Sequence, residues 1–251
     1  MLADLPTHPP PYYGWTLLIG IGLSVWFWIR LARRDDRLLT VYLCGLVSAF
    51  FGAKVLYLLA EGWHDWDQPD RIQRFLTGKS ILGALLVGYA GVEWAKFQVG
   101  YRKTTGDWFA TISPLGILIG RVGCLLHGCC LGMVCEHPAW WTLNDSLGNP
   151  RWPAVPLEIA FNLLAIMAFF VLRQQKVLIG QHFHLYLMSY GLFRFWHEFY
   201  RDTPRAFGPI SAYQLAAMAV VALGLWGFQR RHRELIAVRA KLVSLIATSH
   251  R

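Results

Sequence analysis

The 251 residues are 55% hydrophobic and 16% charged, with 12 Trp and a mean hydropathy of +0.36. A water-soluble domain carries about 25% charged residues, so the composition excludes a soluble globular enzyme and defines an integral membrane protein. The net charge of +9 sits mostly in segments flanking apolar runs, where it sets topology; no nucleic-acid partner is expected.

A helix needs about 20 apolar residues to cross the hydrocarbon core. Seven stretches qualify, near 14–29, 38–60, 80–98, 108–126, 154–172, 182–200 and 209–228. The predicted fold class is an all-α integral membrane protein with seven transmembrane helices, folded as a single polytopic domain over 1–251. The opening Met1-Leu2-Ala3-Asp4-Leu5-Pro6 lacks the basic start of a cleaved signal peptide, so the first span is expected to be retained. His8-Pro9-Pro10-Pro11-Tyr12-Tyr13 reads as a stiff lead-in. Fifteen Lys and Arg flank the spans on one side and six on the other. The richer side is cytoplasmic, which puts the N-terminus outside and the C-terminus inside. The basic tail 230–251 has Leu235, Val238, Leu242 and Leu245 at helical spacing. It is expected to be an interfacial helix on the anionic inner leaflet. Two sizeable loops, 61–79 and 127–153, lie outside.

Charged groups inside apolar runs carry the functional signal, because each costs about 2.5–3.5 kcal/mol on insertion scales. Span two holds Lys54, span four Arg121, span five Glu158, and span six ends on Arg194, His197, Glu198 and Arg201. At about 3.6 residues per turn, Arg194, Glu198 and Arg201 are expected on one stripe of one helix. All these groups fall toward the outer leaflet. Clustering at one depth points to a headgroup site rather than a channel or proton relay, which would string polar groups through the full thickness. Guanidiniums with a carboxylate between them suit a phosphate.

Several motifs occur in order along the chain. They are Tyr13-Gly14-Trp15, Gly52-Ala53-Lys54-x-x-Tyr57, Gly120-Arg121-x-Gly123, Pro153-x-x-x-x-Glu158 and Tyr190-Gly191-x-x-Arg194-x-x-x-Glu198-x-x-Arg201, with Gln214 beyond. In combination they resemble the prolipoprotein diacylglyceryl transferase family over nearly the whole chain. The resemblance implies a transferase of the bacterial inner membrane, with its active site facing the outer leaflet. It would move diacylglyceryl from phosphatidylglycerol to the cysteine thiol in the lipobox of a prolipoprotein signal peptide. Membrane lipids would be its other partners, and no cofactor or metal is expected. Arg121 and Arg194 are then the phosphate or glycerol contacts, and Glu198 holds an arginine in place. Arg201, Glu158 and Lys54 contribute to substrate binding.

The chain departs from the family pattern at three places. The span-three histidine, a proposed base, is replaced by Leu82. Trp152, Val155 and Leu157 stand for His, Gln and Tyr before span five. The signature loop reads Gly123-Cys124-Leu125-Leu126-His127-Gly128-Cys129 in place of Gly-Asn-x-x-Asn-Gly-Glu. His127 is the leading candidate base, with a reference pKa of about 6.5. His197, about 100° from Glu198 around the helix, is the second.

Cys124, Cys129, Cys130 and Cys135 fall within twelve residues. Three readings are open: disulfides in an oxidising exterior, a metal site, or a reactive thiol at Cys129 close to Arg121. Two other function classes also stay open. One is a different phospholipid-dependent transferase on the same scaffold, using its own cysteines or another acceptor. The other is a non-catalytic lipid-binding membrane protein.

Overall fold

The computed structural model describes residues 11–33, 35–67, 69, 71–145, 147–206 and 208–249, with side chains described between Trp15 and Ala237 except Leu17, Ile21 and Gln73. The opening segment 1–10, the side chains of Tyr13 and Gly14, and the tail positions Val238, Leu242 and Leu245 carried sequence expectations and lie outside this set.

Four described helices are long and apolar enough to cross a membrane: Asp36–Asp65, Gly106–His127, Ala154–Gln174 and Ala212–Ala237. At most 44% of the apolar window of any of them is buried. Phe50, Phe51, Leu164, Phe170 and Leu215 point outward, as side chains do that meet lipid instead of water. The chain is an all-α multi-pass membrane protein.

Helix α1 (Pro11–Ala32) is followed by α2 (Asp36–Tyr57), which begins where the Asp35 carboxylate accepts the Arg37 backbone N–H at 3.1 Å. A π-helical turn, Leu58–Gly62, continues α2 into the short α3 (Trp63–Asp65). After α4 (Arg71–Thr77), α5 (Ile81–Gln98) starts at Ser80 and packs along α2. That pairing depends on Gly52 and Gly83, where a Cβ on either would collide with the other chain segment's backbone. Close approach through small residues is how helices associate where no hydrophobic drive separates helix from lipid.

Helix α6 (Gly106–His127) ends at Gly128, whose φ of +68° is left-handed. There the Cys129 N–H donates to the Cys124 carbonyl at 3.1 Å, turning the chain back over the helix end. The loop beyond contains a two-stranded hairpin, β1 (Leu143–Asn144) against β2 (Pro150–Arg151), with Leu143 opposite Arg151. Helices α7 (Ala154–Gln174), α8 (His182–His197) and α9 (Ala212–Ser249) follow. Helix α9 runs through the basic tail without a break, so the described backbone of the tail is a direct continuation of the last apolar stretch.

One sequence expectation is corrected. Helix α8 stops at His197, residues Glu198–Tyr200 form a 3-10 turn, and Arg201 is extended with φ −95° and ψ 148°. Arg201 therefore does not share a helical stripe with Arg194 and Glu198. It lies in a bridge opposite Gly132, and the Met133 N–H donates to the Tyr200 carbonyl at 2.9 Å. The Trp152 ring stacks on Tyr200 at 4.4 Å. The loop after α6 thus sets where Arg201 sits.

Candidate functional site

Glu158 is the hub of the buried polar cluster. It projects from the first turns of α7, and its side chain is 1% exposed. Its Oε2 lies 2.8 Å from Arg121 Nε, 3.4 Å from Arg194 Nη1 and 3.9 Å from Arg201 Nη1. Its Oε1 accepts the Tyr190 hydroxyl at 2.6 Å. Glu198, equally buried, receives Arg194 Nη2 at 2.9 Å and the Thr203 hydroxyl at 2.8 Å, with Arg201 Nε at 3.8 Å. Burying a carboxylate is costly unless it is paired and hydrogen-bonded, and both carboxylates meet that condition. Three guanidiniums against two carboxylates leave the cluster with a formal charge of +1. Glu61 near Arg201 and Arg205 on the Glu198 carbonyl bring one charge of each sign and leave that sum unchanged.

Arg121, Arg194 and Arg201 all line a cavity of about 1800 Å³. Drug-sized ligands occupy about 300–1,000 Å³, so the space suits a larger molecule. Its walls come mainly from α1, α2, α5 and α6, with α8 and α9 contributing at the back. Along α5 the lining runs from Ser80 to Phe97, roughly 26 Å at 1.5 Å per residue. That matches the thickness of a hydrocarbon core, about 30 Å. The guanidiniums mark one end, and Lys96, Arg230 and Arg231 mark the other.

The two histidines separate. His127, in the last turn of α6, lines this cavity. His197 is 5% exposed and stacks on Phe193 at 4.9 Å, and neither ring nitrogen has a hydrogen-bond partner among the described residues. Leu82, which replaces the expected histidine, is 1% exposed and belongs to the hydrophobic core, while its neighbours Ser80, Ile81 and Ala84 line the cavity. Lys54 stands apart from the cluster. Its ammonium donates to the Gly78 carbonyl at 3.2 Å and lies over the Tyr57 ring.

Cys124, Cys129 and Cys130 come together, and all three line the cavity. Cys135 lies in the following loop, where its N–H donates to the Pro150 carbonyl at 2.8 Å. The five cysteines are free thiols.

Three residues of the site carried no assigned role in the sequence. Tyr190 was visible only as part of a motif. Glu61, in the π-helical turn, lines the cavity beside Arg201 and meets the Tyr213 hydroxyl. An acidic residue one position past the apolar run was the available signal. Arg205 donates to the Glu198 carbonyl at 3.1 Å and to Gln214 Oε1 at 3.3 Å, bracing the turn that carries Glu198.

Fold and site together define a multi-pass membrane protein with a bilayer-deep cavity that ends on a positively charged, buried cluster. The family model for prolipoprotein diacylglyceryl transferase matches residues 2–230, and the chain belongs to that family. It is 28% identical over 249 residues to the phosphatidylglycerol–prolipoprotein diacylglyceryl transferase of Mannheimia succiniciproducens, covering 91% of each chain. It is 28% identical over 244 residues to that of Aliivibrio fischeri (87% of this chain, 84% of the relative). It is 26% identical over 229 residues to the second such enzyme of Clostridium perfringens (85% and 88%).

Proposed function

We propose that this protein transfers the diacylglyceryl group of phosphatidylglycerol to the lipobox cysteine of a prolipoprotein. In this reading seven helices cross the bacterial inner membrane as one polytopic domain, with the N-terminus outside, the C-terminus cytoplasmic and the site toward the outer leaflet. The observation that carries the proposal is the +1 cluster of Arg121, Arg194 and Arg201 around Glu158 and Glu198, at the end of a cavity of lipid length.

The acceptor thiolate attacks the glycerol carbon that bears the phosphate. The carbon–oxygen bond breaks, and glycerol phosphate leaves with the bonding pair. The phosphodiester enters with one negative charge and departs with two. The guanidiniums meet that added charge in a partly dry site, where fixed positive groups act most strongly. Glu158 and Glu198 hold Arg121, Arg194 and Arg201 in place, so little reorganisation is needed as charge builds. His127 accepts the thiol proton. Lys54 binds substrate outside the guanidinium cluster, from its place on the Gly78 carbonyl.

The test is mass spectrometry on a lipobox peptide incubated with the purified protein in phosphatidylglycerol vesicles, beside an Arg194→Ala control. The expected result is a diacylglyceryl mass increase with the intact protein that the control loses. An unmodified peptide, with the protein shown to be folded, would refute the proposal and favour another acceptor for the same pocket.

A further inference from the structure

The sulfurs of Cys124, Cys129 and Cys130 all lie within 4.8 Å of one another. Tetrahedral zinc with Zn–S bonds of about 2.3 Å holds its sulfurs about 3.8 Å apart. The trio is therefore within about 1 Å of a metal-binding arrangement, a distance that side-chain rotation covers. The backbone is shaped for it. Gly128 reverses the chain at the end of α6, and Cys130 adopts φ +61°, a region that a non-glycine residue rarely enters. That turn brings Cys129 and Cys130 back beside Cys124.

The electrostatics agree. The Arg121 Nη1 donates to Cys124 Sγ at 3.9 Å. The Cys124 and Cys129 thiols lie within hydrogen-bonding reach of Cys130, and the Arg121 and Arg201 guanidiniums are close to it. Three thiolates on a divalent cation leave a net charge of −1, borne beside the Arg121 guanidinium. All three cysteines also face the cavity, so a metal bound there has an open side.

We propose that Cys124, Cys129 and Cys130 bind one thiophilic divalent cation of the zinc class as three thiolates, with the fourth coordination position opening into the cavity. This departs from the sequence expectation of a metal-free site. A three-protein-ligand site with an open position is the arrangement of catalytic rather than structural zinc. The occupant that fits the fourth position is a further thiolate, and this part rests on the transfer reading above. The acceptor thiol binds the metal and gives its proton to His127, which lines the same cavity. Its sulfur then attacks the glycerol carbon while glycerol phosphate leaves with the electron pair of the broken carbon–oxygen bond. This supplies the activation that a base at the Leu82 position would otherwise give.

The test uses cobalt(II) as the probe, titrated into the full-length protein reduced in phosphatidylglycerol nanodiscs. The expected result is one cobalt per chain, with a thiolate charge-transfer band and the intense visible bands of tetrahedral coordination. Cys124→Ser, Cys129→Ser and Cys130→Ser should each lose or weaken these bands, while Cys44→Ser and Cys135→Ser keep them. Because a serine variant can fail to fold, the unaltered protein is also tested: a chelator should remove the bands and zinc should displace cobalt. Reduced protein that takes up no stoichiometric cobalt, or binding that survives all three substitutions, overturns the site. Adding the lipobox peptide should shift the bands, whereas its alanine counterpart should not. An unshifted spectrum overturns the thiol-binding role. Cobalt binding in a protein that leaves the peptide unmodified upholds the metal site and refutes the transfer reading. Full lipidation after complete chelation refutes thiol activation and leaves the transfer reading standing.

Discussion

Replacing Glu158 with Gln keeps the shape of the side chain and removes the charge that three guanidiniums share. The carboxylate is 1% exposed and lies 2.8, 3.4 and 3.9 Å from Arg121, Arg194 and Arg201. Glu198 still reaches Arg194 and Arg201, so Arg121 is hit hardest, and the cluster rises from +1 to +2. Removing one partner of a buried ion pair costs about 3–5 kcal/mol. That is roughly two to four powers of ten in the folding equilibrium, at about 1.4 kcal/mol per decade. Adding Arg121→Gln to the same chain removes the stranded charge. The double variant should therefore lie closer to the unaltered protein than the two single losses predict when added, by about 0.5–3 kcal/mol. Unfolding in mixed micelles, followed by tryptophan fluorescence, measures all four proteins. Additive losses, or a Glu158→Gln variant that unfolds like its parent, would refute the assignment of Glu158 as the hub.

Tyr190→Phe deletes the 2.6 Å hydrogen bond to Glu158 in a fully buried position. It should cost about 1.5–3 kcal/mol, the range for hydrogen bonds to charged groups, in the same unfolding assay; an unchanged midpoint would remove Tyr190 from the cluster. His127→Phe should slow peptide lipidation by about 10²–10⁴, the usual contribution of a general base. His197→Phe, which preserves the stack on Phe193, should leave the rate unchanged. Equal losses in the two variants would undo the choice of His127.

The hub was legible in the sequence because charges inside apolar runs have few reasons to be there. Arg121, Glu158, Arg194 and Glu198 all meet in one cluster. Lys54 obeyed the same rule and yet went elsewhere, since a lysine in an apolar run can satisfy itself on one backbone carbonyl, here that of Gly78. Periodicity misplaced Arg201. It assumed that α8 continues, but the helix tightens and ends at residues 198–200, where the Thr203 hydroxyl and Arg205 bond to Glu198. The cysteines were visible as a group. Which three converge depends on the left-handed turn at Gly128 and Cys130, which no spacing rule encodes. Glu61 was lost at a boundary, because the π-helical turn carries the helix past the point where the apolar pattern stops.

The strap between the α6 loop and the end of α8 is made of main-chain hydrogen bonds: Gly132 to Trp152, Met133 to Tyr200, and Trp152 to Met133. Such bonds leave the side chains of the strap free to vary, except at Gly132, where a Cβ would collide with Trp152 and the Tyr200 carbonyl. Evolution could therefore rewrite the signature loop, trading amides and a carboxylate for sulfur and imidazole, while Arg201 stayed where the backbone holds it. The rewritten signature loop, residues 123–129, thus stands next to a main-chain strap that holds Arg201 independently of it, which makes it a natural place for new chemistry to arise beside an old binding pocket.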